Sequence, residues 1–135
     1  FEDQTFDEER SLYGLTDVTV TKCSFSGERD GESPLKECRN VSVSDSFVNL
    51  RYPFWHDEDL KLYNCEITES SRAAIWYSNH VDISCSSIHG VKALRECSNV
   101  KISNVLLFSS EFGWKTKSVE VKDVTAKGEY FLQKM

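Results

Sequence analysis

No run of apolar residues in this 135-residue chain approaches the roughly 20 that a membrane-crossing helix needs. No basic stretch followed by an apolar one opens it, so no secretion leader is in view. The chain begins at Phe1 rather than a methionine, and its ends are expected to be limits of a longer protein. Nor is there a basic stripe: the net charge is −6, with acidic residues crowded into "FEDQTFDEER" at 1–10. That balance opposes a phosphate backbone, and nucleic acid is not expected as a partner. A membrane is not expected either. A glycine-rich phosphate loop, a Ser-His-Asp order and a calcium loop are all missing. No C-x-x-C pair occurs among the five cysteines, whose odd number and spacing fit no zinc pattern. They read as reduced packing residues of a cytoplasmic protein. No metal and no cofactor are expected. With 39% hydrophobic and 28% charged residues, the chain has the composition of one folded domain.

Helical periodicity is missing too, and the hairpin dipeptide Asp-Gly occurs once, at Asp30-Gly31. In their place stands a repeated phrase: "CRNVSVSDSF" at 38–47, "DEDLKLYNCEI" at 57–67, "SNHVDISCSSI" at 78–88 and "CSNVKISNVLL" at 97–107. Anchoring each copy on its first apolar residue gives Val18, Val41, Leu60, Val81, Val100 and Val119, with gaps of 23, 19, 21, 19 and 19. A period near 20 residues marks a solenoid. Two past the anchor lie Val20, Val43, Leu62, Ile83, Ile102 and Val121; seven past it lie Phe25, Val48, Ile67, Ile88, Leu107 and Ala126. Inward side chains of one strand are two apart, so an apolar or small residue five past the anchor requires a bend. At +4 sit Lys22, Asp45, Asn64, Cys85, Asn104 and Asp123, mostly residues that tolerate the left-handed conformation. Position −1 is similarly polar, and amides at such corners are expected to bond to neighbouring coils. A third short strand precedes each anchor, with Leu12, Leu35, Phe54, Ile75 and Leu94 pointing inward at −6. The expected fold is an all-β, right-handed parallel β-helix of six to seven coils, three short strands per coil. Residues 1–135 are expected to form one such domain, the N-terminal part of a longer solenoid.

The columns also fix what faces outward. Position −5 holds Tyr13, Lys36, Trp55, Trp76, Arg95 and Trp114. A file containing Lys and Arg belongs outside, so all three tryptophans share one face. Beside them stand His56, Tyr77, Glu96 and Lys115 at −4, Tyr52 and Lys92 at −8, and Glu32, Glu69 and Arg72 in the preceding turns. The long turn "SGERDGES" is expected to wall a shallow groove. Aromatic rings stack on the apolar face of sugars while charged forks bind hydroxyls or carboxylates. The expected ligand-binding residues are Lys36, Tyr52, Trp55, Arg72, Trp76, Tyr77, Arg95 and Trp114. Catalysis is left open, with Glu32, Glu69, His56 and Arg72 as acid or base candidates. His80 and His89 read as solvated turn residues.

"GESPLKEC" (31–38), "YPFWHD" (52–57), "SRAAIWYSN" (71–79) and "AKGEYF" (126–131) resemble the uncharacterised bacterial domain-of-unknown-function family 3737 over nearly the whole chain. That resemblance implies a pectate-lyase-like right-handed β-helix, of about twice this length, and no particular reaction. The chain lacks the dense aspartates of pectin hydrolases and the calcium carboxylates of the lyases. Two functional expectations stand side by side: binding or processing of an oligosaccharide on the aromatic face, and a non-catalytic scaffold whose aromatic face is covered by further coils or a partner chain, including a homo-oligomer.

Overall fold

The computed structural model describes residues 1–127 and 130–131; of the phrase at 126–131, Gly128 and Glu129 lie outside the described residues, as do 132–135. Thirteen strands follow in chain order: β1 Thr5–Phe6, β2 Thr16–Thr21, β3 Ser24–Phe25, β4 Arg39–Ser44, β5 Phe47–Val48, β6 Glu58–Tyr63, β7 Glu66–Ile67, β8 Asn79–Ser84, β9 Ser87–Gly90, β10 Ser98–Ser109, β11 Glu111–Phe112, β12 Lys117–Lys127 and β13 Tyr130–Phe131. Among the described residues the only helical segment is a 3₁₀ turn at Glu69–Ser71.

Every strand pairing is parallel. The long strands stack as β2-β4-β6-β8-β10-β12 and the short ones as β1-β3-β5-β7-β9-β10, giving a β-solenoid of about six turns. Register follows the sequence columns: Val18, Val41, Leu60, Val81, Val100 and Val119 pair in one file. Phe25, Val48, Ile67, Ile88, Leu107 and Ala126 pair in another. Valine and isoleucine suit these positions because their branched side chains pack on a pleated surface. In β6 and β8 the anchor and +2 residues are buried and the residue between them is exposed. Both files feed one continuous core from β2 to β10, while on β12 Val119 is half-buried and Val121 and Ala126, expected to point inward, are exposed. The third side of each coil is the shortest, one bridged residue: Trp55 pairs with Trp76, and Trp76 with Arg95.

Corners are left-handed. All six residues at +4 have φ between 51° and 53°, and all six at −1 between 55° and 57°. Ladders of side chains join them as expected: Asn40 Nδ2 donates to Asp17 Oδ1 at 2.7 Å, and Asn64 Nδ2 to Asp45 Oδ1 at 2.7 Å. Two further corners flank the bridged residue. Leu35, Phe54, Ile75 and Leu94 at −6, and Glu37, His56, Tyr77 and Glu96 at −4, also have positive φ. For β-branched Ile75, φ +59° is a strained conformation that its complete burial holds in place.

The turn "SGERDGES" lies between the N-terminal residues and the next coil, with Ser33 N–H donating to Arg51 O at 2.7 Å on the upper side. Gly31 N–H donates to Asp7 O at 2.9 Å, and Arg10 N–H to Glu32 O at 2.9 Å. A Cβ on Gly31 would lie 2.3 Å from the Glu8 backbone, so only glycine permits that approach.

Candidate functional site

The −5 file forms a ladder whose geometry comes from the bridge between coils. Trp55 and Trp76 lie face to face, ring centroids 4.8 Å apart and planes 13° apart. The Arg95 guanidinium covers Trp76 at 4.8 Å from its centroid. Indole nitrogens are tied down: Trp55 Nε1 donates to Ala73 O at 3.1 Å and Trp76 Nε1 to Lys92 O at 2.8 Å. Coil spacing holds neighbouring side chains at stacking distance, so Trp55 gives one face to Trp76 and Trp76 stands between Trp55 and Arg95. Around this stack Tyr52 stands edge-on to Trp55, and Tyr77 edge-on to Trp55, Trp76 and His56.

Tyrosines in this region donate to carboxylates on the next coil. Tyr13 Oη–H bonds Glu37, and Tyr77 bonds Glu96. The carboxylate acceptor raises each phenol above its usual value, and the Tyr13 bond lowers Glu37. At the upper end the ladder meets a cleft of about 140 Å³ lined by Lys92, Arg95, Glu111 and Trp114. There Lys92 Nζ lies 3.7 Å from Glu111 Oε2, and Arg95 Nε is buried with no hydrogen-bond partner.

The four acid-base candidates are dispersed. His56 Nδ1 is 3.9 Å from Glu37, and Glu32 pairs with Arg51 at 3.7 Å. Glu69 opens the 3₁₀ turn and lines a different cleft with His89 and Phe108. Arg72 acts through its backbone, its carbonyl accepting N–H groups of Val91 and Lys92 at 2.8 Å each. Arg72 N–H donates to Glu69 O at 3.2 Å, and among the described residues no side-chain hydrogen bond or ion pair joins any two of the four. Lys36 lies directly below Trp55 in the file and is half-buried. His89 is not a freely solvated turn residue: it stacks on Phe108, centroids 4.8 Å apart.

Three groups escaped the sequence reading. Asp57 is 2% exposed, and Cys38 N–H donates to its Oδ1 at 2.8 Å while Oδ2 is buried without a partner. Burial lifts its carboxyl to about 8. The signal was its place at −3, an inward position shared with Cys38, Ser78, Cys97 and Thr116. On the outer face of β6, β8, β10 and β12 a groove of about 540 Å³ is floored by Lys61, Asp82, Lys101 and Glu120, signs alternating from coil to coil. At its edge Glu58, Asp59 and His80 bring ligand atoms within 4.8 Å of one another, a donor set that can hold a metal. Last, a groove of about 780 Å³ follows the +4 corner, with exposed Phe47 and Leu106 beside Asp45 and Asn64.

A family model described as protein of unknown function (DUF3737) matches residues 1–135. The chain belongs to the DUF3737 family. No curated protein and no solved structure matches it. For DUF3737 the β-solenoid therefore supplies the frame, and function has to be argued from the side chains that the frame aligns. Among the described residues no helix is long and apolar enough to cross a membrane.

Proposed function

We propose that this chain is a carbohydrate-binding β-solenoid and that the upper end of the aromatic ladder grips the ligand. The observation that carries the reading is the 140 Å³ cleft, where Trp114, Arg95, Lys92 and Glu111 meet. It combines an aromatic ring with two cations and one carboxylate, which suits the apolar face, hydroxyls and carboxylate of an acidic sugar. At well under the ~300–1,000 Å³ of a drug-sized pocket, it has room for one sugar ring. The lower rungs, Lys36, Tyr52, Trp55, Trp76 and Tyr77, form a wall along which further sugars lie. Binding without catalysis is the better reading because Glu32, Glu69, His56 and Arg72 do not converge. The β-solenoid frame agrees with a glycan ligand by analogy alone.

Titrating the chain with neutral and acidic oligosaccharides while following tryptophan fluorescence tests this. Acidic sugars are expected to quench, and Arg95→Ala or Trp114→Ala to weaken binding tenfold or more. No response to any sugar, or equal affinity in both variants, overturns the reading.

A second reading rests on the stack itself: ring faces that cover one another leave no platform for sugar at Trp55 and Trp76 and serve instead as a structural spine. On this reading the face joins a further coil or a second copy of the chain. Trp76→Ala then costs about 2–4 kcal/mol of stability and changes the light-scattering mass without altering any sugar titration. Either role fits a reducing, cytoplasmic setting, supported by five free cysteines, with burial pushing Cys38 up to about 11 and Cys97 to about 12.

A further inference from the structure

We infer that Glu58, Asp59 and His80 form a binding site for a first-row divalent cation of the zinc type, on columns separate from the aromatic ladder. Asp59 and His80 occupy the same −1 corner on adjacent coils, both with φ +56°, so the backbone repeats and sends both side chains out from one edge. Glu58 precedes Asp59 in the same strand, β6. Coil stacking thus delivers three ligands from two neighbouring corners without any loop having to close.

The donor spacing suits a small ion. His80 Nδ1 lies 3.2 Å from Glu58 Oε1 and 3.8 Å from Asp59 Oδ1. Metal–ligand bonds of ~2.0–2.1 Å in a tetrahedron separate its ligands by about 3.3–3.4 Å, so small side-chain adjustments complete the shell. A plain ion pair needs His80 to meet one carboxylate; here its nitrogen lies between two. One imidazole with two carboxylates is a mixed nitrogen and oxygen set, which favours zinc over magnesium or calcium.

The Glu58 carboxylate is also aimed. Asn79 Nδ2 donates to Glu58 Oε1 at 2.9 Å, and Asn79 Oδ1 in turn accepts from Asn99 Nδ2 at 2.9 Å and Ser98 Oγ at 2.7 Å. Those two acceptances fix which way the Asn79 amide points, and that orientation holds the carboxylate. Asp59 and His80 both line the 540 Å³ groove, whose floor carries Lys61 and Lys101 alternating with Asp82 and Glu120.

Isothermal titration calorimetry of the whole chain with zinc chloride tests the site, with magnesium chloride as the contrast. Zinc is expected to bind one ion per chain with magnesium silent. His80→Asn is expected to lower zinc affinity tenfold or more, Asp59→Asn likewise, and His89→Ala to leave it within twofold. Asparagine is chosen at His80 because it tolerates the left-handed corner, as Asn40 and Asn99 do in the same file. A thermal melt with and without zinc gives a second readout: the upward shift expected for the natural chain should vanish in His80→Asn. Absence of zinc binding, or equal affinity in the natural chain and His80→Asn, overturns the inference.

Discussion

Asp57 sits in a file where its neighbours all act as donors. Cys38 Sγ–H bonds Leu12 O, Ser78 Oγ–H bonds Phe54 O, Cys97 Sγ–H bonds Ile75 O and Thr116 Oγ1–H bonds Leu94 O. Each reaches the −6 carbonyl of the preceding coil, and the matching carbonyl for Asp57 is that of Leu35. An ionised carboxylate cannot donate; a protonated one can. With the folded carboxyl lifted to about 8, the folded chain keeps a proton that the unfolded chain releases near pH 4. This group's contribution is therefore complete below about pH 4, is lost progressively as pH rises to about 8, and is flat above that. Asp57→Asn supplies the donor at every pH and keeps an acceptor for Cys38 N–H. It should stabilise the fold by about 1–3 kcal/mol at pH 8.5 and much less at pH 5, as measured by denaturant unfolding at the two values. Equal effects at both would show that the carboxyl does not titrate in this window. The −3 file was legible as an inward position but not as a residue type, because leucine, cysteine, aspartate, serine and threonine share no polarity. What unites Cys38, Asp57, Ser78, Cys97 and Thr116 is a side chain aimed at one carbonyl, which only coordinates reveal.

At the scale of strands and corners, the +4 and −1 positions were legible because asparagine and aspartate are residues that accept a left-handed turn. The −6 and −4 corners were not. Leu35, Phe54, Ile75 and Leu94 disfavour positive φ, and core burial of their side chains overrides that local preference. Cys85 offers a test of the corner rule. It is exposed, has φ +51°, and stands between Asn64 and Asn104 in a file where Asn64 already donates to Asp45. Cys85→Asn should relieve strain and extend the ladder through a bond to Asn64 Oδ1. A gain of about 0.5–1 kcal/mol is expected, seen as a melting temperature higher by about 2–5 °C. A loss of stability would mean that the corner is held by something other than its φ. Aromatic alignment at −5 followed from the same period, and Trp55, Trp76 and Arg95 do share a face. One rung of spacing already puts Trp55 and Trp76 at aromatic contact distance; their face-to-face stacking was not legible, because it depends on side-chain rotamers that the columns leave open.

Taken whole, the molecule is nearly one-dimensional: each coil touches the coils above and below, and one repeated geometry is imposed on every file. The same translation that stacks Val41 on Leu60 also stacks Trp55 on Trp76 and places Asp59 beside His80. Ligand chemistry therefore arises wherever neighbouring rungs carry complementary side chains, and the 19- to 23-residue period sets which ones meet. Function was less legible than fold for that reason: the period names the neighbours, while their chemistry depends on small differences between otherwise similar rungs. The central claim is parallel in-register stacking. Its most direct test is a methyl and amide nuclear Overhauser map of the folded chain in solution. The account predicts contacts running Val41 to Leu60 to Val81 to Val100, with amide contacts between facing rungs and no short Hα–Hα contacts. Strong Hα–Hα contacts between sequence-adjacent strands, the mark of antiparallel hairpins, would contradict it.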